Sequence, residues 1–542
     1  MIKFKATIVK PDVNDKPSDY AEKLGILYSK SVNELHKKNL GQFFTPLGIA
    51  RFMSDCIQSN KEKLRILDPG CGVGILSTSL VETLISKNTN IRTIEVVAFE
   101  TDVNILPFTE SCFKYLAHWL KKRNIDFTYF LCKNDFILHN SHVLNNLVSE
   151  HETYDIVISN PPYFKLPKND ERAIAARAVI HGQSNIYSIF LIIASKFLIE
   201  NGRLIFITPR SFCSGNYFRL FRETFFSIVD IKLIHLFNSR KDAFKKDKVL
   251  QENVIMIADK KSTNTDQINI PFTETIRKKI TISSSNGIGD IATRRIKEYE
   301  SESLINYNSR QKILHLPASE IDEQVIDIFK NWTGSLSAYE LEVSTGPVVD
   351  FRSEDIITAN RKKNSVPLIW LNNVEPMKIV WPKNNGLKGK PKGQFIDNGP
   401  NSLSRLIPNK NYVLLRRFSA KDDNRRLIAA PYFDSMFKSN MLGVENHLNY
   451  IYHKETVLSE VEATGLSALL NSQLFDIYFR TFNGNINVSA TELRDFPLPD
   501  FGLIQTLGKR VIDRNGAMKA KEIDPLVADV FNLNIDLSKI YG

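Results

Sequence analysis

The fold of this chain is decided by the stretch Asp155-Ile156-Val157-Ile158-Ser159-Asn160-Pro161-Pro162-Tyr163-Phe164. Its β-branched run has the length and composition of a buried strand. The two prolines then stop that strand, because proline cannot continue a ladder and holds the preceding residue in extended geometry. Asn160 is therefore expected at the carboxyl end of a strand, on a stiff loop followed by aromatic rings. In open α/β sheets, ligands bind at that edge.

This loop has the chemistry to hold a planar amino group. Asn160 offers an amide oxygen and Pro161 a carbonyl oxygen, so two acceptors stand side by side. Tyr163 can stack on the ring that carries the amine. The amine of adenine or cytosine is a poor nucleophile because its lone pair is delocalised, and holding both hydrogens frees that pair. Taken alone, the stretch also fits a strand with an ordinary proline-rich turn.

A glycine-rich turn lies upstream, in Asp68-Pro69-Gly70-Cys71-Gly72-Val73-Gly74, between a short strand and a helix expected over residues 75–86. Glycines let the backbone approach a ligand closely, and the carboxylate of Asp68 suits a positively charged ligand better than a pyrophosphate. The next strand ends at Glu100, where an acid often accepts from ribose hydroxyls. Further on, Asp135 can accept from an adenine amine while Phe136 packs on the ring.

Two other segments carry less specific signals. Gly41-Gln42-Phe43-Phe44-Thr45-Pro46 precedes a helical pattern, and Thr45 before Pro46 predicts a helix N-cap. Residues 239–248 form a basic loop around Phe244, which fits either a solvated turn or a wall of a base pocket. Basic pairs such as Arg425-Arg426 in the second half fit ordinary solvated faces or contacts to a phosphate backbone.

Strands and helices alternate over residues 41–260, which predicts an α/β domain with a doubly wound, mostly parallel sheet. Residues 1–40 have the polar character of an N-terminal lead-in. Residues 261–290 are rich in Ser, Thr, Asn and Lys, as in a linker. Residues 291–500 lack the α/β alternation and predict a mixed α+β domain, and residues 501–542 predict a C-terminal helical segment.

Composition limits the class of protein without locating a site. The 542 residues are 43% hydrophobic and 24% charged, which is typical of a globular protein of several domains. A net charge of +11 favours a polyanionic partner only weakly, because it is spread over a large surface. The five cysteines form no Cys-x-x-Cys pair, which argues against zinc and disulfides and fits a reducing cytoplasm. No apolar stretch has the length of a membrane span.

Together, these motifs resemble the gamma class of adenine-specific DNA methyltransferases, which belong to restriction-modification systems and use S-adenosylmethionine. The resemblance rests on the Phe-Thr-Pro segment, the glycine turn, Glu100, Asp135-Phe136 and Asn160 to Tyr163, in that order along the chain. It covers about residues 35–260. It implies a class I S-adenosylmethionine-dependent methyltransferase fold over residues 41–260, followed by a DNA target recognition domain over residues 291–500.

The resemblance also implies a role for each matched residue. The residues expected to bind S-adenosylmethionine are Thr45, Asp68, Gly70, Gly72, Glu100, Asp135 and Phe136. The residues expected to act in catalysis are Asn160, Pro161, Pro162 and Tyr163. Tyr163 would stack on a base extruded from the duplex, with Phe244 as a second aromatic against it. No metal is required, because the methyl-bearing sulfonium is already a strong electrophile.

The expected partners are double-stranded DNA and a cognate restriction endonuclease encoded separately, with no membrane. The nearest alternatives are methyl transfer to RNA, to a protein glutamine amide or to the N4 amine of cytosine. A fused nuclease is disfavoured because only about 40 residues precede the Phe-Thr-Pro segment. A non-catalytic DNA-binding module is disfavoured because the Asn-Pro-Pro-Tyr and glycine motifs are both intact.

Overall fold

The computed structural model describes residues 8–145, 152–182, 185–238, 252–262, 278–383, 393–419, 424–484, 487–514, 518, 520–535 and 537. The chain divides into two compact units, Met1–Ala318 and Ser319–Gly542. Within the described ranges, we find no helix that is long and apolar enough to cross a membrane.

The first unit alternates strands and helices. Its strands are β1 (Lys63–Pro69), β2 (Thr93–Phe99), β3 (Asp126–Cys132), β4 (Tyr154–Ser159), β5 (Leu198–Pro209), β6 (Val229–Phe237), β7 (Asn253–Lys260), β8 (Lys279–Ser285) and β9 (Arg295–Glu300). Its helices are α1 (Pro17–Ser31), α2 (Glu34–Leu40), α3 (Leu47–Asp55), α4 (Ile75–Lys87), α5 (Leu106–Lys121), α6 (Phe136–His139), α7 (Glu171–Ala175), α8 (Ile186–Lys196), α9 (Arg219–Ile228) and α10 (Ser301–Leu304).

The nine strands form one sheet in the order β3-β2-β1-β4-β5-β7-β6-β8-β9. The first five strands in this order run parallel to one another, whereas β7 runs antiparallel between β5 and β6. The chain moves outward from β1 to β3 and then returns to place β4 on the other side of β1. This reversal between β1 and β4 is the switch point at which α/β sheets bind ligands. The predicted doubly wound, mostly parallel sheet is confirmed.

Helices cover both faces of this sheet, because its central strands are apolar on both sides. In β4, Val157 packs into one hydrophobic core, and its neighbours Ile156 and Ile158 pack into the other. The first core also holds residues of α8 and α9, and the second holds residues of α1, α3, α4 and α5. As predicted, β4 ends at Ser159, just before Asn160 and the two prolines.

The sequence predicted a separate lead-in at the N-terminus, but the described part of this segment belongs to the first unit. Helix α1 packs on α4 and α5. The backbone N–H and the hydroxyl of Ser18 donate to the carboxylate of Glu82 in α4, at 2.6 and 2.8 Å. The polar composition of residues 1–40 was misleading, because Ser18 bonds to Glu82 and α1 packs on α4 and α5.

The predicted linker over residues 261–290 is also wrong in its second half. Residues 279–285 form β8, which pairs in parallel with β6 and extends the sheet. Its serines resemble a linker in composition, but the hydroxyls of Ser283 and Ser285 bond to the ring of the buried His235, at 2.9 and 3.1 Å. The first unit therefore continues to Ala318.

The second unit is a mixed α+β structure, as predicted. Its sheets have the strand orders β10-β20-β17-β18, β11-β15-β12-β19-β16 and β13-β14. Its strands are β10 (Leu341–Thr345), β11 (Ile357–Thr358), β12 (Ser365–Ile369), β13 (Val374–Glu375), β14 (Lys378–Ile379), β15 (Phe395–Asp397), β16 (Leu406–Pro408), β17 (Tyr412–Arg416), β18 (Ala429–Tyr432), β19 (Met441–Val444) and β20 (Leu448–His453). Its helices are α11 (Glu320–Lys330), α12 (Glu460–Asn471), α13 (Gln473–Phe482), α14 (Ala490–Arg494), α15 (Phe501–Ile512) and α16 (Ala520–Val530).

The predicted boundary at residue 500 is absent, because α15 packs closely against α12. A methyl group added at Gly465 would lie 2.1 Å from the carbonyl oxygen of Ile504, so the two helix backbones are almost in contact. The C-terminal helices therefore belong to the second unit.

Candidate active site

A cavity of about 310 Å³ opens in the first unit, where the loops after β1, β2 and β4 meet. The predicted site residues that line it are Thr45, Gly70, Gly72, Glu100, Asp135, Phe136, Asn160 and Pro162. Asp68, Pro161 and Tyr163 do not line it. Phe244 lies outside the described residues. The structure thus brings together motifs that are spread over more than a hundred positions of the sequence.

The glycine turn after β1 forms part of the cavity wall. Gly70 has a φ of +78°, a backbone conformation that other residues rarely adopt. The N–H groups of Gly70 and Cys71 both donate to the carbonyl oxygen of Phe99, at 2.8 and 3.0 Å. The turn is thereby tied to the end of β2.

Asp68 is a fully buried carboxylate at the base of this turn. Its Oδ2 accepts from the hydroxyl of Ser77 at 2.6 Å, and its Oδ1 has no hydrogen-bond partner among the described residues. Burial raises the pKa of Asp68 to about 7, because the charged form is poorly solvated there. A cationic group bound nearby would stabilise the ionised form.

Glu100 lies on the cavity wall at the end of β2. Its carboxylate accepts from the N–H of Gly72 at 3.0 Å and from the N–H of Asp102 at 2.8 Å. Burial nevertheless raises its pKa. Two backbone donors hold the carboxylate in one orientation, which suits a role as a fixed acceptor for hydroxyl groups.

Asp135 and Phe136 lie side by side on the cavity wall, but Asp135 also has a structural role. Its Oδ1 caps α6 by accepting from the N–H groups of Ile137 and Leu138, at 2.9 and 3.0 Å. Phe136 packs against Phe190, with ring centroids 4.9 Å apart. The Oδ2 of Asp135 takes no part in this cap and lies 3.6 Å from the guanidinium of Arg172.

The side chain of Asn160 is oriented by the Phe-Thr-Pro segment. Its Nδ2 donates to the carbonyl oxygen of Phe43 at 2.8 Å and to the hydroxyl of Thr45 at 3.0 Å. The prediction that Thr45 caps α3 is therefore wrong. Pro46 occupies the N-cap position, and no side-chain bond caps that helix. With both hydrogens bonded, the amide of Asn160 can present only its oxygen as an acceptor.

Tyr163 supports Asn160 from behind the cavity wall. Its hydroxyl lies within hydrogen-bonding distance of two acceptors, Oδ1 of Asn160 and the carbonyl oxygen of Ile207, which share its single hydrogen. Its ring is buried and stacks on Phe43, with centroids 5.6 Å apart and planes 23° apart. The structure thus differs from the prediction that Tyr163 faces a bound base. Phe164, the next residue, lines the cavity instead.

The sequence is similar to known proteins over nearly its whole length. It is 33% identical over 503 residues to the type II methyltransferase M.BsuBI of Bacillus subtilis, covering 91% of this chain and 95% of that protein. It is 32% identical over 507 residues to the type II methyltransferase M.PstI of Providencia stuartii, covering 92% and 94%. The chain belongs to the type II methyltransferases of restriction-modification systems.

Two further comparisons add a family model and a solved structure. A family model described as Eco57I restriction-modification methylase matches residues 81–244. Among solved structures, the chain is similar to that of a DrdV–DNA complex, with a TM-score of 0.49 and 14% identity, over 91% of this chain and 59% of that one. The two sequence relatives confirm the family predicted from the motifs, and the protein is a DNA methyltransferase.

Sequence reasoning missed a polar network that joins the N-terminal helices of this methyltransferase to the cavity. Asp102 accepts from the hydroxyl of Tyr28, from Nε2 of His36 at 2.9 Å and from Nε2 of Gln42 at 2.8 Å. Burial opposes the ionisation of Asp102, but these bonds outweigh it and lower its pKa. Gln42 itself lines the cavity. In the sequence, the one feature that pointed to this network was a second acid, Asp102, two residues after Glu100.

Sequence reasoning also missed Phe190 and Arg172, which line the cavity from α8 and α7. Phe190 appeared in the sequence only as one apolar residue of an amphipathic helix. The guanidinium of Arg172 pairs with Asp170 at 2.7 Å and lies 3.6 Å from Oδ2 of Asp135. Neither position is marked by a motif, because both reach the cavity through the packing of short helices.

Proposed function

We propose that this methyltransferase transfers a methyl group from S-adenosylmethionine to the N6 amine of an adenine that is flipped out of duplex DNA. The observation that carries the proposal is the environment of Asn160. Its amide lies on the cavity wall at the end of β4, with both hydrogens bonded to Phe43 and Thr45. An oxygen held in this way is a fixed acceptor for an amine that has to be activated.

The residues around the cavity fit S-adenosylmethionine. Asp68 has a buried oxygen without a partner, which suits the positive charges of the methionine part. Glu100 has a carboxylate held by two backbone donors, which suits the ribose hydroxyls. Phe136 and Phe190 supply apolar ring surface for the adenine. When bound, the cofactor supplies a methyl group on a positively charged sulfur.

The residues of this chain would then act by positioning. The oxygen of Asn160 has two lone pairs, so it can accept from the target amine while it keeps the bond from Tyr163. The carbonyl of Pro161 is the second acceptor that we assign to the amine. With the amine held in this way, its nitrogen would be directed at the methyl group that the cofactor supplies, and the proton that the amine loses would pass to water.

The flipped base also needs an aromatic face. Phe164 lines the cavity, whereas Tyr163 would offer its ring only after Phe43 moves aside. We retain stacking on Tyr163 as part of the proposal, with Phe164 as the ring that the base meets first. We assign target recognition to the second unit, and protection from a separately encoded restriction endonuclease to the reaction as a whole.

The first test is methyl transfer from labelled S-adenosylmethionine to unmethylated genomic DNA, followed by sequencing for modified bases. We expect N6-methyladenine in one short sequence. Asn160→Ala should reduce the rate by about 100- to 1000-fold, as does the loss of a positioned hydrogen-bonding group at other active sites. Asn90→Ala, at an exposed position away from the cavity, is the matched control.

The identity of the product separates this proposal from its alternatives. A methyl group on the N4 amine of cytosine would move the activity to another base. Transfer to RNA or to a protein glutamine, with none to DNA, would refute the proposed substrate. An Asn160→Ala variant that retains the wild-type rate would refute the role of the amide.

A further inference from the structure

Four loops meet at one end of the second unit. β12 and β19 run in parallel, so residues 370–373 and 445–447, which follow them, lie at the same edge of the sheet. β17 ends beside the start of β20, which places residues 416–418 next to the second of these loops. The backbone N–H of Val488 donates to the carbonyl oxygen of Arg417 at 2.8 Å, which joins residues 487–489 to residues 416–418. We call these four loops the polar loop cluster.

A cleft of about 160 Å³ lies in the polar loop cluster. The residues that line it are Trp370, Leu371, Asn372, Asn373, Lys383, Gln394, Glu445 and His447. Asn372 is exposed, and the side chain of His447 is 42% exposed. Nδ1 of His447 bonds to the buried carboxylate of Glu445, and its ring packs edge-on against Phe418, with centroids 4.7 Å apart. The imidazole is therefore held in place while part of it faces solvent.

The cluster combines donors and acceptors in the way that base recognition requires. Amide side chains pair with adenine edges, nitrogen donors pair with guanine edges, and carboxylates accept from cytosine. A surface that binds only phosphate needs cations, and a carboxylate such as Glu445 would oppose it. In addition, Nζ of Lys383 is already bonded to Glu375 at 2.6 Å. The chemistry of the cleft thus favours base edges over the phosphate backbone.

Two amide oxygens in the cluster reinforce this conclusion. Oδ1 of Asn446 and Oδ1 of Asn487 are shielded from solvent and accept no hydrogen bond within the part of the chain that the structure describes. Buried acceptors in folded proteins nearly always have a donor. Because both oxygens are shielded, an exocyclic amine of adenine or cytosine could donate to them only after the side chains around them move.

The loop that carries Asn487 is held by a network that gives it a fixed shape. Nδ2 of Asn483 donates to the carboxylate of Glu492 at 3.1 and 3.2 Å, and to the carbonyl oxygen of Asn487 at 3.3 Å. Glu492 in turn bonds to Ser489 in a capping box at the start of α14. This arrangement keeps the loop in register with residues 416–418, as a reading surface requires.

We propose that the polar loop cluster reads base edges in the major groove of duplex DNA, with Asn372 and His447 as residues that determine the recognition sequence. The inference rests on the proposed function, because a site-specific methyltransferase has to select its sequence. It goes further by assigning that selection to named side chains of the second unit.

The test is the selection of bound duplexes from a random DNA pool, which does not depend on methyl transfer. It compares the wild type with Asn372→Ala, His447→Gln and Asn364→Ala. Asn364 and Asn372 are exposed asparagines just before and just after β12, so Asn364→Ala is the matched control at the opposite end of the strand. His447→Gln keeps a donor toward Glu445, which protects the fold. Thermal unfolding and S-adenosylmethionine binding confirm that each variant is intact.

We expect Asn372→Ala and His447→Gln each to relax the selected sequence at one position. Each should weaken binding to the wild-type site by about ten- to a hundredfold, the usual value of one base-reading contact. Asn364→Ala should select the wild-type sequence with unchanged affinity. A wild type that selects one sequence but transfers no methyl to it would refute the proposed function and leave this inference standing.

Three results would overturn the inference. One is an unchanged sequence and affinity for both variants. Another is a uniform loss of affinity for every sequence with a shallower salt dependence, which identifies phosphate contacts. The third is a wild type that selects no sequence at all.

Discussion

The cavity of the first unit and the polar loop cluster of the second unit both lie where parallel strands end, yet they are built differently. The cavity is framed by backbone, since Gly70, Pro162 and the carbonyl of Phe43 set its shape and orient Asn160. The cleft of the cluster is framed by side chains, and Asn372 is exposed. Methyl transfer in the cavity needs a rigid geometry. A surface that recognises bases, such as the polar loop cluster, instead needs side chains that can be exchanged without loss of the fold. Substitutions should therefore have separable effects in the two regions.

After Asn160→Ala, the largest effect is expected from Asp68→Asn. Asp68 does not line the cavity, so its carboxylate would attract the positive charges of the cofactor from beneath the glycine turn, and the variant should bind S-adenosylmethionine about tenfold more weakly. Isothermal titration measures this change. DNA selection by the second unit should not change, and a parallel loss of sequence preference would contradict the separation of the two regions.

The same substitution has a pH signature in the cofactor-free protein. Burial raises the pKa of Asp68 from 3.8 to about 7, so the unfolded state loses its proton first and the folded state becomes less stable as pH rises between these values. At pH 8, Asp68→Asn should therefore be more stable than the wild type, by up to about 4 kcal/mol. Thermal unfolding at pH 5 and pH 8 checks the sign. A variant that is less stable at pH 8 would rule out this account of the carboxylate.

The next largest effect is expected from Gly465→Ala, which should make the second unit less stable. The added methyl group would lie 2.1 Å from the carbonyl oxygen of Ile504, so α12 and α15 must separate. Overpacking of this kind usually lowers the free energy of unfolding by about 1 to 3 kcal/mol. Gly502→Ala is the control, because its methyl group would approach only the end of the exposed Asp500 side chain. Cofactor affinity should stay at its wild-type value in both variants, and a weaker affinity in Gly465→Ala would mean that the two units are coupled.

The smallest effects are expected from Tyr163→Phe and Thr45→Val, which each remove a hydrogen bond from the amide of Asn160. One such bond is usually equivalent to about a two- to tenfold change in rate. Tyr163→Phe should lower kcat and leave cofactor affinity unchanged, because Tyr163 does not line the cavity. Thr45→Val should lower both, because Thr45 does line it. Steady-state kinetics with cofactor titration separates the two variants, and identical effects would show that Asn160 is held in another way.

Sequence reasoning was most successful where the signal is local. Prolines at positions 161 and 162 stop a strand wherever they occur, so the end of β4 was predictable. The glycine turn was equally clear, because a left-handed backbone at Gly70 requires a residue without a side chain. Eight of the predicted site residues therefore lie on the cavity wall, whereas Asp68, Pro161 and Tyr163 do not line it, and Phe244 lies outside the described residues.

Sequence reasoning failed where the partner of a polar group is distant in the chain. Arg425 and Arg426 read as a basic surface pair, but both are buried. Arg425 bonds to Asp524 at 3.2 Å, and the backbone N–H of Arg426 bonds to Asp476. The Ser-rich strand β8 was misread for the same reason, since its hydroxyls bond to His235. Whether a charged or hydroxyl side chain is buried or exposed depends on its hydrogen-bond partner, and a partner that is distant in the chain cannot be identified from the local sequence.

The sequence by itself thus determined the alternation of strands and helices, the end of β4 and the two turns that frame the cavity, because these depend on the backbone preferences of neighbouring residues. Only the tertiary structure decided that Thr45 orients Asn160, that the N-terminal helices belong to the first unit and that four separate loops form the polar loop cluster. Those outcomes depend on hydrogen bonds and packing between segments that are far apart in the chain, and no local pattern records them.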